Sequence, residues 1–183
     1  MKCSSTKFPI VLTLLIFVSN WAYSAPRPNR QTNIMVTDHY AHKWIKFPTI
    51  EGNSIFGDKK IKVEPRKGTI SVIVFISSWD VSSQKLVPQL KRIEDKYKDL
   101  YINIFYIFSH DLRTDARNFT NEFKLNKDRL ILGNTALLKT FHNPPLVTIY
   151  MSDRQGWLSH RVLKAKTKDI KRLDQLISRM VRF

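Results

Sequence analysis

The stretch VIVFISSWDVSSQKLVPQL, residues Val72 to Leu90, decides how this chain is read. It lies in a longer run, Thr69 to Ser77, that is β-branched and almost wholly apolar. That is the pattern of a central strand covered on both faces. Trp79 and the four residues Asp80-Val81-Ser82-Ser83 follow at once. Helical spacing then begins and continues to Asp99, with Leu86, Leu90, Ile93 and Tyr97 on one stripe and Pro88 inside it. Asp80 is placed to cap this helix, where a carboxylate accepts from free N–H groups and complements the dipole, an effect of about 1 kcal/mol. Ser82 and Ser83 read as first-turn residues.

On the N-terminal side, Trp44–Pro48 and Ser54–Val63 are expected to pair as a hairpin across Glu51-Gly52-Asn53, a turn-type sequence. On the C-terminal side, Tyr101–Phe108 reads as a second buried strand. Thr114–Phe123 reads as a helix with Phe119 and Phe123 facing inward, and Thr135–Phe141 as a shorter helix capped by Asn134. A strand from Pro145 to Met151, a turn at Ser152–Gly156 and an antiparallel edge strand from Trp157 to Leu163 come next. A last helix capped by Thr167 buries Ile170, Leu173, Ile177 and Met180 or Val181. The order of elements is that of an α/β domain with helices layered on a mixed sheet.

Cysteine usage narrows the chemistry. The 183 residues contain one cysteine, Cys3, inside a segment that reads as a secretory signal. Lys2 and Lys7 form its positive end, Phe8 to Val18 its apolar core, and Ala22-Tyr23-Ser24 a cleavage site, with cleavage expected after Ser24. The core is too short for a bilayer span; retention as an anchor is the alternative. The expected organisation is a signal at 1–24, an extended polar lead-in at 25–43 and one domain at 44–183. Processing would leave 159 residues, enough for a single core, and no thiol for a disulfide framework or for catalysis.

Charge is the other strong deviation. The formal net charge is +16. Setting aside Lys2 and Lys7 leaves 29 basic against 15 acidic side chains, with nine against four in residues 25–70 and eight against two in residues 161–183. Such an excess favours anionic partners or surfaces: an acidic protein, anionic lipid headgroups or a cell-wall polymer. Nucleic acid is not expected, because the aromatic residues are not interleaved with the basic ones as a base-stacking groove requires.

Taken together, the central segment resembles the active-site segment of the thioredoxin family. The family pattern is an apolar strand, then Trp-Cys-x-x-Cys, with a Pro five residues after the second Cys. Trp79 matches the Trp, Asp80 and Ser83 occupy the two cysteine positions, and Pro88 falls five residues after Ser83. The resemblance implies a cis proline before the third core strand, facing the motif; Pro145 in Asn143-Pro144-Pro145 looks like that residue. The leading hairpin and the insert between Phe108 and Gly133 look like the exported TlpA/ResA type of disulfide reductase. The similarity covers about residues 44 to 181, and its departure falls on the two catalytic positions.

Thiol–disulfide exchange needs a thiolate and a second thiol, and Asp80 and Ser83 provide neither. No catalytic set and no cofactor are therefore assigned. Asp80, Ser83 and His142 have the residue types of a hydrolase triad, but no oxyanion hole or nucleophile elbow is signalled. His39 and His42 are three apart, yet no Cys or carboxylate set accompanies them, so no metal is expected. Asn118-Phe119-Thr120 fits a glycosylation pattern. The resulting expectation is a redox-inactive, thioredoxin-like binding or adaptor module, exported to the periplasm or secreted. It would engage a polypeptide through Trp79, Asp80, Val81, His142 and Pro145, with an envelope protein or complex as partner. An anionic surface is a further counterpart, and no stable membrane span is expected after processing. An enzyme using the same cleft for a small molecule and a general envelope chaperone are the alternatives.

Overall fold

The computed structural model describes residues 45–182. The expected signal, cleavage site and polar lead-in, with Cys3, His39 and His42, lie outside the described residues. Seven strands form one mixed sheet: β1 (Ile50–Ser54), β2 (Lys60–Val63), β3 (Ile70–Ile76), β4 (Ile102–Phe108), β5 (Leu130–Leu132), β6 (Thr148–Ser152) and β7 (Leu158–Val162). Their spatial order is β2-β1-β5-β4-β3-β6-β7. β3 pairs with β4 in parallel and with β6 antiparallel, so it is an interior strand next to the middle of the sheet, and all seven of its residues are buried. Four helices accompany the sheet: α1 (Val81–Lys96), α2 (Arg113–Glu122), α3 (Thr135–Thr140) and α4 (Thr167–Val181).

Alternation along β3 divides the core. Val72, Val74 and Ile76 face the cluster that contains Leu86, Leu90 and Ile93 of α1, Ala116 and Phe119 of α2, and Ile170, Leu173 and Ile177 of α4. Ile73 and Phe75 face the opposite cluster, with Phe47, Ile131, Tyr150 and the α3 residues Leu137 and Leu138. Phe75, Phe141 and Tyr150 meet there, with ring centroids 4.9 to 5.9 Å apart. This two-sided cover explains why β3 and β4 read as continuous apolar runs.

Three expectations are corrected. Gly52 is inside β1 and not in a turn; the β1–β2 turn runs through Gly57, whose φ of 80° suits glycine. β5 is an additional strand that closes the insert between Phe108 and Gly133 at its C-terminal end. Thr167 is the first residue of α4, and Asp169 Oδ2 accepts from the Lys166 N–H at 2.9 Å ahead of it. The stripe from Leu86 to Tyr97, the Asn134 cap on α3 and the edge position of β7 are present as expected.

Candidate functional site

β3 ends at Ile76 and delivers Ser77, Ser78 and Trp79 to the N-terminus of α1. Asp80 takes extended backbone angles (φ −86°, ψ 122°) and caps the helix as expected. Its Oδ2 accepts from the Ser83 N–H at 2.6 Å and from the Ser83 hydroxyl at 2.8 Å. Ser83 in turn accepts from the Ser77 N–H at 3.2 Å. Ser83 is therefore more than a first-turn residue. It is fully buried and ties the strand end to the helix start, using its hydroxyl as donor and acceptor at once.

A second carboxylate, not singled out from the sequence, holds the other side. Asp111, in the loop after β4, accepts from the Ser77 hydroxyl at 2.7 Å, from the Ser78 N–H at 2.9 Å and from the Ser78 hydroxyl. Gln84 Nε2 donates to the Ser78 carbonyl at 2.9 Å. The turn is thus fixed by two carboxylates and an amide. Asp111 lies 31 residues beyond Asp80 in a loop, where no local pattern marks it.

Polar locking contrasts with exposed apolar surface around it. Trp79 is 62% exposed and Val81 58%, flanking Asp80, while Ser82 is exposed beside them. The bonds made by Asp111 bring its neighbour Leu112, 71% exposed, to the same end. Alongside runs an open, largely polar cleft of about 300 Å³ lined by Ser78, Gln84, Asp115, Asn118, Phe119, Glu122 and Phe123. Asn118 of the glycosylation pattern is on its rim, and Thr120 is buried with its hydroxyl donating to the Ala116 carbonyl at 2.7 Å.

His142 has a backbone role. It is exposed at φ 57°, and Asn143 follows at φ 48°. Its N–H donates to the Lys139 carbonyl and that of Asn143 to the Leu138 carbonyl, both at 2.9 Å, which terminates α3 in a Schellman motif. Its side chain forms no hydrogen bond or ion pair with Asp80 or Ser83, so these residues do not assemble as a triad. Two left-handed residues reverse the chain, and Pro144 and Pro145 lie in the segment beyond, before β6 begins at Thr148. No peptide bond among the described residues is cis. The cis proline expected at Pro145 is thereby corrected: the strand is entered through the buried Val147, and the Thr148 hydroxyl donates to the Pro145 carbonyl at 2.5 Å. Pro88 lies within α1 as expected. Among the described residues, no group of three His, Cys, Asp or Glu side chains could hold a metal, and no helix is long and apolar enough to cross a membrane.

No family model matches the chain. It is similar to the thiol-disulfide oxidoreductase ResA of Bacillus cereus and to that of Bacillus anthracis, each 23% identical over 111 residues, or 61% of this chain. The match spans 64% of the length of these relatives. A putative thiol:disulfide interchange protein DsbE from Chlorobium tepidum superposes with a TM-score of 0.67 at 17% identity, covering 76% of this chain and 97% of that one. A putative protein disulfide isomerase from Bacteroides thetaiotaomicron superposes with a TM-score of 0.66 at 16% identity, covering 76% and 89%. The fold is thioredoxin-like, as the resemblance implied, and no cysteine is present among the described residues.

Proposed function

We propose that this thioredoxin-like chain is a redox-inactive binding or adaptor module of the cell envelope, exported through its N-terminal segment, that engages a polypeptide partner at the motif end of the sheet. One observation carries the proposal. The segment that presents thiols in redox-active relatives is here closed on itself by Asp80, Ser83, Ser77 and Asp111, while Trp79, Val81 and Leu112 stand exposed around it. Thiol exchange needs two thiols, and the only cysteine of the chain is Cys3. Clustered, exposed apolar side chains on a rigid polar frame are the features of a contact surface. The cleft beside them is open and mostly polar, unlike the enclosed apolar pocket that suits a small-molecule enzyme.

The test is purification of the full chain from its own envelope in mild detergent at low and moderate salt. It is run in parallel with Trp79→Ala and Val81→Asp. A stoichiometric partner that persists in salt and is lost from both variants supports the proposal. Retention of the same proteins by the variants overturns it, and weak binding of many unfolded clients would mark a general chaperone instead.

A further inference from the structure

Three loops meet at the end of the sheet opposite the motif. The Gly68 N–H donates to the Arg154 carbonyl at 2.6 Å, joining the β2–β3 loop to the β6–β7 turn. The Ile70 N–H, at the start of β3 where the first of these loops ends, donates to the Tyr101 carbonyl of the α1–β4 loop at 2.8 Å. On this end Tyr101 is 75% exposed and Leu100 41%. Around them Arg66, Lys67 and Lys98 are exposed and Arg154 is half-buried. None of the four is ion-paired among the described residues.

The last helix adds to the same charge. α4 runs beside α1 in the same direction: Gln89 Nε2 lies 3.5 Å from the Thr167 hydroxyl, and Lys96 Nζ 2.8 Å from Asp174 Oδ1. Arg179 and Arg182, both exposed, therefore lie farther along toward this end. The acids here are Glu64, Asp99 and Asp153; Glu64 is paired with Lys62 and feels the Arg66 charge, and Asp153 Oδ1 already accepts from the Gln155 and Trp157 N–H groups at 2.9 Å.

We propose that this basic, aromatic-bearing pole docks on an anionic lipid bilayer, leaving the motif end turned away from it. Cationic side chains are drawn to anionic headgroups, and a tyrosine between them suits the headgroup layer with its ring in the apolar boundary and its hydroxyl in water. An acidic polymer offers no apolar phase for Leu100 and Tyr101. The described chain also enters at this pole: Leu158 N–H donates to the Ile45 carbonyl at 2.7 Å, and Phe47 N–H to the Gly156 carbonyl at 3.0 Å. The surface is separate from the motif end, so it stands or falls independently of the polypeptide-binding proposal.

The experiment is sedimentation of the full chain with vesicles of phosphatidylcholine alone and of phosphatidylcholine with 30% phosphatidylglycerol, at low and high salt. Three proteins are compared: wild type, Lys67→Glu/Lys98→Glu/Tyr101→Ser, and a control with charge reversals elsewhere, Lys127→Glu/Lys139→Glu. All carry the apolar run Phe8–Val18, so its contribution is common to them. Wild type is expected to favour the anionic vesicles and to lose that preference in high salt. Partitioning of the pole variant onto anionic vesicles should fall about tenfold, and that of the control by less than about twofold. Thermal melts confirm that the variants fold, and Tyr101→Ser alone should also weaken binding. The proposal is overturned if the pole variant binds like wild type, if the control loses as much, or if wild type shows no preference for anionic vesicles.

Discussion

Asp80 satisfies two donors with one oxygen, and both belong to Ser83. Its capping role follows from its place before an apolar-periodic run, and the sequence is sufficient for that. The burial of Ser83 is not readable in the same way, because its partner, the Ser77 N–H, is brought close only by the strand-to-helix turn. Asp80→Ala should cost about 1–2 kcal/mol. Urea denaturation checks this, and a midpoint equal to wild type would refute the cap. His142 is a different case. Its type and its nearness to Pro145 suggest chemistry, whereas its φ of 57° occupies the position where glycine usually ends a helix. His142→Gly should therefore stabilise by about 1 kcal/mol, raising the melting temperature by roughly 2–4 °C. A lowered melting temperature would mean that the side chain itself matters to folding.

The long elements of the sheet and helices were legible because each carries its period over many residues. β3 and β4 are seven residues each and apolar apart from Ser71 and Asn103, and α1 sets a clean stripe from Leu86 to Tyr97. β5 was not legible: Leu130-Ile131-Leu132 is too short to show any period and is defined by pairing with β4 and β1. Gly52 shows the same limit from the other side. Glycine between Glu and Asn reads as a turn, yet here it lets β1 approach its neighbour closely. A Cβ on Gly52 would stand 2.3 Å from Ile131 Cγ2. Gly52→Ala should accordingly destabilise by about 1–3 kcal/mol, seen as a lower denaturation midpoint. An unchanged midpoint would show that Ile131 moves aside freely.

Across the molecule, one buried charge links the layers and sets a pH dependence. Glu94 of α1 is buried and pairs with Arg129 at 3.3 Å, in the turn before β5. Burial raises its pKa, against the opposing pull of Arg129 and Lys91. A carboxyl whose pKa is higher folded than unfolded contributes most at low pH, and that contribution is lost as pH rises through the folded value. Glu94→Gln removes this loss. Its melting temperature relative to wild type should improve from pH 4 to pH 8, and a difference constant with pH would contradict the assignment.

Pairing distance along the chain has a temporal consequence. β1 and β2 form a local hairpin, but β1 docks through Asn53 to Leu132 and Ser54 to Ile131, nearly eighty residues later. The inward side chains Ile50, Ile61 and Val63 also wait for Leu137, Leu138 and Phe141. During synthesis at roughly 5–20 residues per second, that hairpin stays uncovered for about 4–16 seconds after it emerges. The alternating Glu51, Lys60 and Lys62 on its other side keep that face charged while the wait lasts. The first hairpin made is thus among the last to be sheltered, and any pause before residue 130 lengthens the interval in which it must stay unpaired with neighbouring chains.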